Sequence, residues 1–173
     1  EIMPSLVGSE MCIRDRPGAA TERLFLHSWL RSKLGARVYH DNRQHQGQPL
    51  MLINLCQSPM SPQLWLCAWL IGTAGCPVDA FDGPMPLAEL PLALSRRRPR
   101  ALLLFCEADS NTSAQSTLQQ WLGDHGVPCL LIGIEDQQEA EQLVARAPGS
   151  ADITVVADPL AALQHLADRH LLE

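Results

Sequence analysis

Residues 50–81 constrain the fold more than any other stretch. Leu50-Met51-Leu52-Ile53-Asn54-Leu55 is a short and almost wholly apolar run. The loop Cys56-Gln57-Ser58-Pro59-Met60 follows it, and Ser61-Pro62 then opens a segment that stays largely apolar as far as Gly75. Pro77-Val78-Asp79-Ala80-Phe81 is a second short run. The first run is too short for a helix and lacks polar alternation, which suits a strand buried on both faces. Ser followed by Pro is a helix start, with an N-cap hydroxyl and a first-turn residue that needs no N–H partner. Strand, helix and strand in this order form a crossover unit between parallel strands. Ligands of open parallel sheets bind outside the carboxyl ends of the strands, so the loop 56–60 is the first place to look for function.

The rest of the chain repeats the alternation. Strands are predicted at 50–55, 77–81, 101–105, 127–132 and 153–156, with helices at 62–74, 86–97, 113–124 and 137–145. Pro91 should kink or split the second of these helices. A closing helix spans 158–171, with Asp158 as N-cap and Pro159 in its first turn. The expectation is an α/β fold: a doubly wound, five-stranded parallel sheet of flavodoxin-like order 2-1-3-4-5. Before it, residues 21–40 form a helix with an apolar face of Leu24, Leu26, Trp29, Leu30, Leu34 and Val38, and 41–48 form a polar linker. The helix 62–74 is apolar around its whole circumference, so the preceding helix with Trp29, or a partner chain, should cover it. The chain thus divides into a tail at 1–16, a fragment of a helical bundle plus linker at 17–48, and the α/β domain at 49–173. Residues 1–16 show neither period and resemble a translated sequencing-adapter scar, which implies a natural chain extending further at its N-terminus.

A net charge of −6 argues against nucleic-acid binding by the chain as a whole. The apolar run 64–71 is too short to span a bilayer, so no membrane association is expected. Six cysteines without a CxxC pair suit buried free thiols in a reducing cytoplasm. His40 and His45, like His165 and His170, are five residues apart, a spacing that puts each pair on different sides of a helix and makes no metal site. Arg96-Arg97-Arg98-Pro99-Arg100 closes a helix, where positive charge complements the dipole. No strand is followed by a phosphate-cradling glycine motif. A receiver-type phospho-acceptor in Cys106-Glu107-Ala108-Asp109 would need an acidic pair after the first strand, and Asn54-Leu55-Cys56-Gln57 supplies none.

Several phrases, in order, resemble one family. They are Leu26-His27-Ser28-Trp29-Leu30-Arg31-Ser32-Lys33-Leu34, Trp69-Leu70-Ile71-Gly72-Thr73-Ala74-Gly75, Asp82-Gly83-Pro84-Met85-Pro86-Leu87-Ala88-Glu89-Leu90, Arg97-Arg98-Pro99-Arg100-Ala101-Leu102-Leu103-Leu104 and Ala157-Asp158-Pro159-Leu160-Ala161-Ala162-Leu163. Together they resemble the cobalamin-binding domain at the C-terminus of MerR-type transcriptional regulators, with the last helix of its preceding bundle. The resemblance implies a non-enzymatic, cytoplasmic effector sensor with cobalamin as cofactor. It also implies a homo-oligomer that contacts DNA only through an N-terminal domain outside this sequence. It places the corrinoid site at Pro59, Met60, Phe105, Cys106 and Gly133. By offset from Gly75, Met60 falls where the family's cobalt-ligating His stands, and Gln63 where a Gly stands. Phe105-Cys106 replaces the Ser after the third strand, and Gly133-Ile134 keeps one residue of a Gly-Gly pair. The family's Glu-His pair on the bundle helix is absent, with Glu22-Arg23-Leu24 in that region. A thioether is a soft, weak ligand and no substitute for imidazole on cobalt. The resemblance therefore implies a retained fold with cobalt ligation lost. Two other readings stay open: an interaction or dimerisation module with no small ligand, and a cobalamin-carrying subunit of a methyltransferase or mutase, which would need the His.

Overall fold

The computed structural model describes residues 18–55, 61–83, 85–105, 126–133 and 152–172, with only the backbone of Leu87. The predicted helices 113–124 and 137–145 lie outside the described residues, as do Pro59, Met60 and Cys106. The described elements are α1 (Ala19–Asn42), β1 (Leu50–Asn54), α2 (Pro62–Thr73), β2 (Val78–Phe81), α3 (Leu90–Arg97), β3 (Ala101–Phe105), β4 (Cys129–Ile132), β5 (Ile153–Val156) and α4 (Pro159–Asp168).

The strands form one five-stranded parallel sheet in the order β2-β1-β3-β4-β5. This is the doubly wound, flavodoxin-like α/β fold that the alternation predicts, with a helix before it. Leu50 is level with Val78 on one side and Ala101 on the other, so β1 is central. Every residue of β1, β3 and β4 is buried, which is why these strands read as unbroken apolar runs. Strand starts are trimmed by proline, which has no ladder donor. Pro77 precedes β2 and contributes only its carbonyl, to Leu50 N–H at 2.9 Å, and Pro128 precedes β4 and accepts from Leu102 N–H at 2.8 Å.

The chain reverses direction across the sheet at β1, so the β1–β2 and β2–β3 connections pack on opposite faces. Leu50, Leu52, Leu103 and Ile132 pack with α1, α2 and α4, through Val38, Leu64, Ile71, Ala162 and Leu166. Met51, Ile53, Leu102, Leu104 and Leu131 pack with Leu90 and Leu94 of α3. Pro91 splits the predicted helix 86–97 as expected. A 3₁₀ turn, Leu87–Glu89, precedes α3, and Pro91 sits in the first turn of α3 where its missing N–H has no cost.

Two expectations change. The residues read as a polar linker, 41–48, begin inside α1 and are anchored to the domain. α1 runs on through Asn42, whose side-chain amide donates to Val78 O at 2.6 Å and accepts from Val78 N–H at 2.9 Å. It thereby pairs with both backbone groups of Val78 on the open side of the edge strand β2. His45 Nε2 lies 2.9 Å from Gly72 O, and Arg100 N–H donates to Pro49 O at 2.9 Å. Trp29 is also not what covers α2. The contact runs lower, where Gly35 lies over the Trp65 ring and Gly72 lies beside Asp41. Trp29 sits on the opposite side of α1 from Leu34 and stays 50% exposed.

Candidate functional site

The carboxyl ends of β1, β2, β3 and β4 lie at one edge of the sheet, at Asn54, Phe81, Phe105 and Ile132. Asp82, the residue after β2, is only 6% exposed and ties three elements together there. One carboxylate oxygen accepts the Ser61 N–H at 3.0 Å, and the other lies 2.8 Å from Arg31 Nε of α1. Its backbone carbonyl accepts the side-chain amide of buried Asn54 at 2.9 Å. Ser61 is the N-cap of α2, its hydroxyl accepting from Leu64 N–H at 3.3 Å. The carboxylate therefore sits at the N-terminal end of α2 and against a guanidinium.

Of the residues singled out in the sequence, Phe105 and Gly133 lie on this edge at the ends of neighbouring strands. Phe105 is level with Ile132, and Gly133 follows with φ +94, a backbone conformation that favours glycine. The Phe105 ring is buried in the core on the α2 and α4 face. What Phe105 offers at the edge itself is its carbonyl, which accepts Leu55 N–H at 2.9 Å. Leu55 is thereby tied to β3, and Ser61 is tied to Asp82.

α1 contributes the other wall. It runs parallel to α2, since Gly35 meets Trp65 and Asp41 meets Gly72, and antiparallel to β2, since Asn42 meets Val78 and Arg31 meets Asp82. Arg31 is thus level with the edge, and Ala19–Leu30 continue past it for about 18 Å at 1.5 Å per residue. Leu24 shares the Arg31 side of the helix two turns further on and is 58% exposed.

Asp82, Asn54 and Arg31 are the site residues that sequence reasoning missed. A signal existed: Asn54 is the one polar residue in an apolar strand, and Asp82 stands immediately after a strand and before a glycine. The other candidates have local structural roles. Arg97 makes a two-pronged pair with Asp79, Nε to Oδ2 at 2.6 Å and Nη2 to Oδ1 at 2.7 Å, and Arg100 Nη1 donates to Leu171 O at 3.2 Å. Cys67, Cys76 and Cys129 are buried, and none of them is in a disulfide. Burial pushes the Cys67 thiol up to about 12 and also raises Cys76, against the opposing pull of Arg100. Cys76 Sγ donates to Leu172 O at 2.9 Å. Among the described residues, no three His, Cys, Asp or Glu side chains cluster as a metal site. No described helix is long and apolar enough to cross a membrane.

Compared with protein-family models the chain matches none, and comparison with curated proteins likewise gives no match.

Proposed function

We propose that this chain is an effector-sensing domain of a MerR-type transcriptional regulator, built on a cobalamin-binding fold in which tight cobalt ligation has been lost. The observation that carries the reading is the placement of α1. A helix pinned by Arg31 to the edge of a 2-1-3-4-5 sheet, and running about 18 Å past it, stands beside any ligand seated on that edge. Cobalamin is the family's cofactor, and Met60 offers cobalt only a thioether. Binding is therefore weak, resting on contact with the loop 56–60, the backbone at Phe105 and Gly133, and the overhanging helix. DNA would be contacted by a separate N-terminal domain. The test is titration of the purified chain with hydroxocobalamin and adenosylcobalamin, followed by absorption and calorimetry, and then of the Met60→His variant. A gain of tenfold or more in the variant supports the reading, about 1.4 kcal/mol. Tight binding by the unmodified chain with no gain from Met60→His refutes it, as does binding by neither.

A further inference from the structure

Three basic residues stand in a row on the stretch of α1 that passes the carboxyl edge of the sheet. Arg23, His27 and Arg31 are each four residues apart. At that spacing neighbouring side chains start about 6 Å from one another, and the row spans about 12 Å. Each step of four turns the row by only about 40°, so it stays on the side of the helix where Arg31 meets Asp82. Side chains on a helix lean toward its N-terminus, which here is the overhanging end. Glu22, the one acidic residue of 19–40, lies about 140° around the helix from His27. Like charges at this spacing oppose helix formation, and the contact with Asp82 answers only Arg31. Arg23 is exposed and makes no ion pair among the described residues.

We propose that this row is a phosphate subsite of the edge, and that the effector seated there is an organic diphosphate of the nucleoside diphosphate class. The proposal rests on reading the carboxyl edge as the effector site, and not on cobalt. Asp82 engages Arg31 through Nε, so the two terminal nitrogens of the fork remain for an acceptor from solution. The carboxylate does not repel that acceptor strongly, because it is buried beneath Arg31 and also receives Ser61 N–H. A guanidinium fork matches phosphate oxygens two at a time. A single phosphate or carboxylate engages one rung of the row, whereas two linked phosphates reach two. Leu24, 58% exposed beside the row, offers apolar surface to the organic part. From α1 the remaining ligand has the whole edge to lie along. Strands β2 and β4 are three spacings apart, about 14 Å, and the far end is Gly133, where no side chain stands in the way.

Calorimetric titration of the full chain with adenosine diphosphate, inorganic pyrophosphate and adenosine, in magnesium-free buffer, tests the subsite. Adenosine diphosphate should bind at one site, pyrophosphate more weakly, and adenosine at least about tenfold more weakly than its diphosphate. Arg23→Gln and Arg31→Gln should each weaken diphosphate binding by about tenfold or more, and Arg37→Gln, on the same helix but beside the domain, by less than about twofold. Arg31→Gln also loses the contact with Asp82, so Arg23→Gln is the decisive variant, and its circular dichroism and melting temperature should be unchanged. Absence of binding by both adenosine diphosphate and pyrophosphate overturns the proposal. So does binding that ignores Arg23→Gln, that falls as far with Arg37→Gln, or that is as tight for adenosine. The cobalamin titration separates this subsite from the corrinoid reading. A gain from Met60→His in a chain that binds no diphosphate overturns the subsite alone. Diphosphate binding through Arg23 and Arg31 without any corrinoid gain supports the subsite and refutes the corrinoid chemistry.

Discussion

Asp82 shows how one buried charge can join segments distant in sequence. Its carboxylate receives Ser61 N–H and Arg31, and its carbonyl receives Asn54. Removing a partner from a buried charge costs more than removing an exposed one, but Arg31 is half exposed, so water screens part of the pair. Asp82→Asn should therefore destabilise by about 1–3 kcal/mol and Arg31→Ala by about 1 kcal/mol in urea unfolding. The double variant should lose less than the two together, and full additivity would show that the pair is not coupled. Cys67 gives a pH-dependent prediction. Its folded pKa is raised to about 12 from an ordinary 9.0, so the fold holds the proton where the unfolded chain releases it. Its contribution is complete below pH 9 and is lost as pH rises toward 12, so stability should fall across that window. Cys67→Ala should flatten the fall in a series of unfolding curves at rising pH. Alkylation of Cys67 near neutral pH, mapped by peptide mass, should require denaturant.

At the scale of elements, α1 and α2 meet through a glycine. A methyl group on Gly35 would meet the Trp65 ring at 3.4 Å, an ordinary contact, whereas a longer side chain would have to displace the ring or the helix. Gly35→Ala should be neutral or stabilising by up to ~1 kcal/mol, since alanine is the better helix former. Gly35→Leu should cost about 1–3 kcal/mol by overpacking. Thermal melts of the two variants that move in the same direction would contradict this contact. The elements themselves were largely legible in the sequence. Leu50–Asn54 and Ala101–Phe105 are unbroken apolar runs because both faces are covered, and Asp158 caps α4 through Leu160 and Ala161 N–H at 2.8 and 2.9 Å. What the sequence hid is tertiary. Periodicity assigned Trp29 and Leu24 to the buried face, but Trp29 sits on the opposite side of α1 from Leu34, and Leu24 lies two turns beyond the contact of Arg31 with Asp82 and is exposed. The site was half legible for the same reason. Phe105 and Gly133 follow from strand order, whereas the Asp82–Arg31 pair depends on the docking of α1, which no local pattern encodes.

For the whole molecule, α1 is the piece on which the rest depends. It covers α2, pairs with the edge of β2 through Asn42 and reaches the carboxyl edge of the sheet through Arg31. Beneath it, Trp65 and Trp69 are only partly buried even with the helix in place. A chain beginning at Gln48 would retain all five strands and their ladder but lose Val38, the Asn42 pairing and the Arg31 contact together. The unpaired edge of β2 and the apolar side of α2 would then be open to solvent, a combination that favours association between molecules. Such a chain should keep a sheet-and-helix circular dichroism spectrum, bind a hydrophobic dye, melt at least ~5 °C lower, and self-associate more strongly as concentration rises. A monomeric, dye-silent product with an unchanged melting temperature would show that α1 rests on the domain without supporting it.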